Sequence, residues 1–323
     1  MTRPDDVPFR TALFTHDLFA SDAHANRSHL EHPDRIRAIH QMLIERGSTH
    51  PRPPFAPASD EAFFHIHAPA YIDALTRFCA SGGGWIDPDT YATPDSLTIA
   101  RLAVGAGIAA VDHVLDPTTE HPRAVVLARP PGHHATPDRA MGFCLVNTTA
   151  IAAAHAIRQR LSRVAIVDWD VHHGNGTQDA FYGRSDVLSV SLHQHPFYPG
   201  TGFADDIGIG AGAGATLNLP LHAGADDSTY MQLIDELVVP KLAEFAPDLI
   251  IVAAGYDAHE RDPLGGMRLT EDGFTAMTAR LVTAADAHCA GRIVAILEGG
   301  YAPDALATSV WATIRQLDVT PVR

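Results

Sequence analysis

RVAIVDWDVHH, residues 163–173, decides how the rest of the chain reads. An apolar, β-branched run stops at Asp168 and is followed at once by carboxylates and imidazoles, the pattern of a buried parallel strand ending at a loop. Three other stretches end the same way: RAVVLARPPGHH (123–134), DLIIVAAGYD (248–257) and RIVAILEGGY (292–301). In open α/β sheets ligands bind at the carboxyl ends of such strands. One His pair at a strand end would mean little. Together the stretches bring His133 and His134, Asp168, Asp170 and His172, Asp257, and Tyr301 to one edge, and that describes an active site.

Outward from these strands, TALF (11–14) reads as a first strand and the polar stretch to about Pro33 as a loop. DRIRAIHQMLIER (34–46) has helical spacing stopped by Gly47, HAPAYIDALTRFCASGGG (67–84) predicts a second helix, and residues 96–115 are apolar nearly all round, a helix packed inside. Beyond residue 123 strands at 124–128, 164–168, 187–191, 249–253 and 292–297 are interleaved with helices near 147–161, 227–245 and 271–290. Such alternation predicts an α/β fold, a parallel sheet with helices on both faces. Residues 200–220 are glycine-rich without a G-x-G-x-x-G register after a strand, so they read as a flexible loop near the active-site edge and not as a dinucleotide site. No linker or repeat interrupts the pattern, and residues 1–323 are expected to form a single domain.

With 46 % hydrophobic and 19 % charged residues, a chain of 323 residues can bury a large core without staples. Its 38 acidic against 23 basic residues, a formal charge of −15, argue against nucleic acid as a partner and suit solubility or attraction of cationic substrates. The 20 histidines are too many to be informative singly, so only those at strand ends count. Cys79, Cys144 and Cys289 form no C-x-x-C pair and leave an odd count, so neither a structural zinc knuckle nor a disulfide framework is indicated, and a reducing cytosol fits. MTRPDDVPFR lacks the apolar stretch of a signal peptide, and no segment reads as approaching a membrane span, so a cytoplasmic protein without a membrane partner is expected.

Asp168, Asp170 and His172 alternate, so an extended backbone sends them to one side. Asp170, His172 and Asp257 make a mixed N/O set that leaves coordination positions open, as catalytic zinc sites require; the plainer alternative is that Asp168 and Asp170 cap the next element. PPGHH (130–134) holds two imidazoles on a stiff turn. Alone they would read as a solvated surface pair, but beside a metal they suit general acid–base work. EGGY (298–301) offers a phenol that can donate to an oxyanion, or simply a Tyr packed under a loop.

PPGHH, MGFCLVN (141–147), DWDVHHGNGTQ (168–178), SVSLHQ (189–194), GYDAHERDPLGG (255–266) and EGGY together resemble the zinc-dependent histone deacetylase and acetylpolyamine amidohydrolase superfamily, in the family's order over roughly residues 30–302. The resemblance implies the arginase–deacetylase fold, with a central parallel sheet of about eight strands. It implies one Zn²⁺ per chain on Asp170, His172 and Asp257. His134 would be general base and acid, and His133 an electrostatic partner bonded to Asp168. Tyr301 would polarise the scissile carbonyl with the metal. Gly142 and Phe143 match one wall of the family's acyl-lysine tunnel, and Tyr198, in place of the commoner Phe, matches the other. Asp89 matches a rim aspartate that holds substrate backbone, and Arg35 an arginine behind the site. Asn175, in HHGNGTQ, is the class II-like partner of the second histidine and favours a neutral His134. A K⁺ site around Asp168, Asp170, His172, Ser191 and Leu192 is implied as well.

The reaction expected from this resemblance is hydrolysis of acyl groups, acetyl first, from lysine side chains of peptides or proteins by metal-activated water. Deacetylation of acetylated polyamines is the alternative, and a non-catalytic acyl-lysine or small-amide binding protein the remote one. An arginase-like dinuclear site would need further carboxylates where His173, Gly174 and Asn175 stand. The sequence leaves acyl preference and oligomeric state open.

Overall fold

A computed structural model of the chain describes residues 9–26 and 28–319. The leading residues 1–8, on which part of the targeting argument was read, lie outside it. In chain order the elements are β1 (Thr11–Thr15), α1 (Asp34–Glu45), α2 (Asp60–Phe63), α3 (Pro69–Ala80), β2 (Gly84–Trp85), β3 (Tyr91–Ala92), α4 (Ser96–Leu115), β4 (Arg123–Leu127), α5 (Thr148–Arg158), β5 (Val164–Asp168), α6 (Asn175–Phe181), β6 (Val187–Gln194), β7 (Thr216–Leu221), α7 (Asp227–Leu233), α8 (Val239–Phe245), β8 (Leu249–Ala254), α9 (Glu271–His288), β9 (Ile293–Leu297) and α10 (Pro303–Asp318).

Among the described residues the main sheet has seven strands, in the order β1-β4-β9-β8-β5-β6-β7, and every pairing is parallel. This is the α/β arginase–deacetylase architecture expected, with seven strands where the resemblance implied about eight. Helices α4 and α5 pack on the sheet along β1, β4, β9, β5 and β8, while α9 and α10 pack together and against β8 and β1, with α1 on α10. Strands covered by helices must be apolar along their whole length. β4, β5, β8 and β9 are indeed buried at every position, and each buried Val, Ile or Leu there contributes about 1.5–3 kcal/mol. The four strands picked out in the sequence are neighbours, β4-β9-β8-β5, so their carboxyl ends open on one place.

Three expectations are corrected. Residues 216–221 form β7 instead of loop: TLNLPL pairs with β6, and its Pro220 is tolerated because β7 is an edge strand; the glycines just before it hid the strand in the sequence. The helix expected at 227–245 is interrupted by a π-turn at Ile234–Val238, where Pro240 removes an N–H from the helical ladder. Finally, α4 is by length and composition long and apolar enough to cross a membrane, contrary to the expectation that no segment approaches a span; 67 % of its most apolar window is buried, as in the core helix of a packed domain.

Candidate active site

The ends of β5 and β8, parallel neighbours in the sheet, lie side by side at its carboxyl edge. Asp170 and Asp257 are fully buried and His172 is 9 % exposed; their ligand atoms all lie within 4.8 Å of one another. His172 Nδ1 is 3.1 Å from Asp170 Oδ1 and 3.1 Å from Asp257 Oδ2. Backbone amides hold the carboxylates: Val171 N–H donates to Asp257 Oδ1, His172 N–H to Asp170 Oδ1 and Gly299 N–H to Asp170 Oδ2. Gly299 has to be glycine, because a Cβ there would stand 2.1 Å from Asp257 Oδ2 and 2.5 Å from Asp170 Oδ2. Two carboxylates buried this close demand a cation. Burial and then Asp170 push Asp257 up to about 7, while the two carboxylates overcome burial and push His172 up to about 10. The donor set and its cradle fit a divalent metal ion.

The turn after β4 brings the two imidazoles in from the other side, 4.1 Å apart between centroids. His133 Nδ1 lies 2.9 Å from Asp168 Oδ2, and its Nε2 is 3.8 Å from Asp170 Oδ1. Burial alone would lower it, but Asp170 and Asp168 prevail and hold His133 well above its ordinary value. His134 Nδ1 donates to the Asn175 carbonyl oxygen at 2.7 Å, which leaves Nε2 as the free acceptor. Burial, then His133 and His172, hold His134 well below its ordinary value. Adjacent histidines are thus pushed in opposite directions, His133 toward its cationic form and His134 toward its neutral one.

Tyr301 follows β9. Its amide donates to Asp262 Oδ2 at 2.6 Å, and the Arg35 guanidinium lies 4.9 Å from its ring centroid. Arg35 is buried, donating to the carbonyl oxygens of Gly300 and Glu298 and to Glu31. Burial raises the Tyr301 hydroxyl well above its ordinary value, so it remains a donor.

A cavity of about 290 Å³ is lined by Asp89, His134, Gly142, Phe143, His172, Phe197, Tyr198, Leu264 and Tyr301. It collects candidates from several distant stretches of sequence. Gly142 and Phe143 both take left-handed backbone, φ 56° and 68°, with the Phe143 amide bonded to Thr90 Oγ1. A Cβ on Gly142 would meet His134 Cδ2 at 2.4 Å, so this wall touches the imidazole directly. Opposite, Phe197 stacks on His172 at 5.2 Å and 19°, and Tyr198 stands edge-on to His134 at 5.1 Å. Tyr198 is 37 % exposed and therefore belongs to the outer part of the wall. Asp89 accepts from Thr90 Oγ1; burial, and Asp87 beside it, raise its carboxyl above the ordinary value.

Phe197, Leu264 and Asp262 were missed from the sequence. Phe197 sits beside Tyr198 in HPFYPGTG, and Asp262 and Leu264 lie inside the quoted GYDAHERDPLGG, so proximity to those motifs was the available signal. Of the residues expected around potassium, Ser191 pairs in register with Asp168 across β5 and β6, with Leu192 next to it; the Ser191 hydroxyl is 3.0 Å from His193 Nδ1. His133, Cys144 and Glu298 also approach one another closely. There the thiol donates to the Gly142 carbonyl and both Glu298 oxygens accept hydrogen bonds, so the cluster is already satisfied internally.

Comparison with known proteins agrees with this geometry. Residues 29–317 match the family described as histone deacetylase domain. The histone deacetylase-like amidohydrolase of Pseudomonas aeruginosa is 45 % identical over 284 residues, covering 86 % of this chain and 73 % of that one. A probable deacetylase of Methanothermobacter thermautotrophicus is 41 % identical over 303 residues, covering 92 % and 88 %. The crystal structure of the HDA15 HD domain superposes with a TM-score of 0.90 at 36 % identity, over 95 % of this chain and 88 % of that one.

Proposed function

Because this chain belongs to the histone deacetylase family, whose named relatives are deacetylases and an amidohydrolase, we propose that it hydrolyses acyl groups, acetyl first, from lysine side chains of peptides or proteins, with one Zn²⁺ per chain. The observation that carries the reading is that His172, His134 and Tyr301 line one narrow cavity with Asp89 among the same lining residues. At about 290 Å³ it is just smaller than the usual ligand pocket of about 300–1,000 Å³ and suits one unbranched side chain.

Asp170, His172 and Asp257 would hold the cation, and one imidazole with two carboxylates suits zinc with positions left open. When bound, zinc supplies Lewis acidity toward the amide carbonyl and the attacking water. His134 Nε2, free and neutral, takes the proton from that water. The Tyr301 hydroxyl donates to the oxygen that gains charge as the carbonyl carbon becomes tetrahedral. Protonated His134 then passes its proton to the departing lysine amine, and the C–N bond breaks. His133, kept cationic by Asp168 and Asp170, stabilises the negative charge that develops beside it. Phe143, Phe197, Tyr198 and Leu264 enclose the aliphatic stem and exclude water. K⁺, which Asp168, Asp170, His172, Ser191 and Leu192 would hold, a single deacetylase domain across the described residues, and a cytoplasmic location complete the proposal.

The zinc-loaded protein, assayed on acetyl-lysine peptides, longer acyl-lysine peptides and acetylated polyamines, is expected to show its highest kcat/KM on an acyl-lysine peptide. A higher value on an acetylated polyamine than on every peptide would establish the other reading, which the presence of Asp87 beside Asp89 favours because paired acids suit a polycation. Asp89→Ala is expected to lower kcat/KM on peptides roughly tenfold, the loss of one charged hydrogen bond, and to spare a small acyl-lysine analogue without backbone amides. Equal losses on both would remove Asp89 from peptide binding. Tyr301→Phe keeps the ring packing and deletes one donor; kcat should fall roughly 10²–10³-fold with the thermal unfolding midpoint preserved. Turnover near that of the parent would take the oxyanion role from Tyr301.

A further inference from the structure

Glu298 is fully buried at the end of β9, three residues before Tyr301, and its carboxylate meets no Lys or Arg side chain among the described residues. The His133 imidazole is the nearby group that favours its charge, and a carboxylate this buried stays costly unless its lone pairs are also filled. Those of Glu298 are filled by neutral donors from two other elements. Oε2 accepts from Gly132 N–H at 2.6 Å and His133 N–H at 3.1 Å; Oε1 accepts from the Thr149 hydroxyl, in the first turn of α5, at 2.6 Å. Pro130 and Pro131 have no N–H to give, so Gly132 and His133 carry the first two amide donors of the turn, and one carboxylate oxygen takes both.

We propose that Glu298 is a positioning residue for the His pair, fixing the Gly132–His133 backbone against the strand end that also carries Gly299 and Tyr301. The next residue, Gly299, holds Asp170 through its amide, so one tetrapeptide sets the relative places of the imidazoles, a metal-binding carboxylate and the phenol. Releasing the two amides lets the turn relax. The His134 ring then leaves its place over the cavity, while the cavity walls and the Asp170, His172 and Asp257 set keep theirs.

The inference rests on the deacetylase reading, and three substitutions test it. Glu298→Ala removes the acceptor; Glu298→Asp keeps the charge but shortens the reach by a methylene; Glu298→Gln keeps the reach and an oxygen for both amides while losing the charge. On an acetyl-lysine peptide, Ala and Asp variants are expected to lose roughly 10–100-fold in kcat, the cost of a misplaced catalytic group, with KM and zinc stoichiometry unchanged, and Gln to stay within about threefold of the parent. If the Ala variant does not fold, Asp against Gln decides alone. Parent-like kcat in Asp, a Gln variant as impaired as Asp, or zinc loss in step with kcat would each overturn the proposal. Histidine-selective ¹⁵N NMR gives a readout independent of turnover: the His133 Nδ1–H signal should shift in Asp and persist in Gln. A parent protein inactive on every acyl substrate would sink the deacetylase reading, and the NMR comparison would still judge Glu298.

Discussion

Asp257→Ala is expected to abolish zinc binding and turnover together. The three donor groups converge within 4.8 Å, and without Asp257 only one carboxylate and one imidazole remain, fewer than a stable catalytic zinc site uses. Lewis-acid stabilisation of developing charge is worth several kcal/mol, and each 1.36 kcal/mol is a factor of ten, so kcat/KM should fall by roughly 10³-fold or more. Elemental analysis of the zinc-loaded variant should find far less than one zinc per chain, against one for the parent, with circular dichroism unchanged. Full occupancy and full activity in the variant, or two transition metals per active parent chain, would sink the mononuclear assignment.

His134→Ala is the second large effect, with an expected loss in kcat of roughly 10²–10⁴-fold, the range of general acid–base catalysis. No neighbour can take over. His133 has Nδ1 bonded to Asp168 and Nε2 turned toward Asp170, and those carboxylates keep it protonated at neutral pH, so it has no lone pair for a proton from water. Zinc content should stay at the parent's value, which separates this variant from Asp257→Ala. Turnover within a few-fold of the parent would mean that another group removes the proton.

The ends of β4, β5, β8 and β9 were legible because burial on both faces forces an apolar run, and the change to His, Asp and Gly marks where each run stops. Their adjacency in the sheet was not written in any one stretch; β9 lies between β4 and β8, although the segments they come from are far apart in the chain. Distances of this kind are set by strand order. For the same reason Leu264 and Phe197 escaped notice, since apolar residues in a loop carry no local mark of facing a cavity. β7 was lost to composition, because the four glycines from Gly208 to Gly214 outweighed the alternation in TLNLPL. Helix α10, with Pro303 in its first turn, carried its start signal openly and went unread.

Gly142 leaves no van der Waals room for a Cβ against the imidazole of His134, and this limits how the protein can diversify. Any larger residue at that position would press on the base itself, so selection for a narrower entrance cannot act there without losing turnover. Tyr198 and Leu264, which border the same cavity without belonging to the metal-binding or proton-transfer sets, are the positions where drift toward longer or bulkier acyl groups carries the least penalty. A family founded on this frame would be expected to vary its substrates along one side of the entrance and keep the other side fixed.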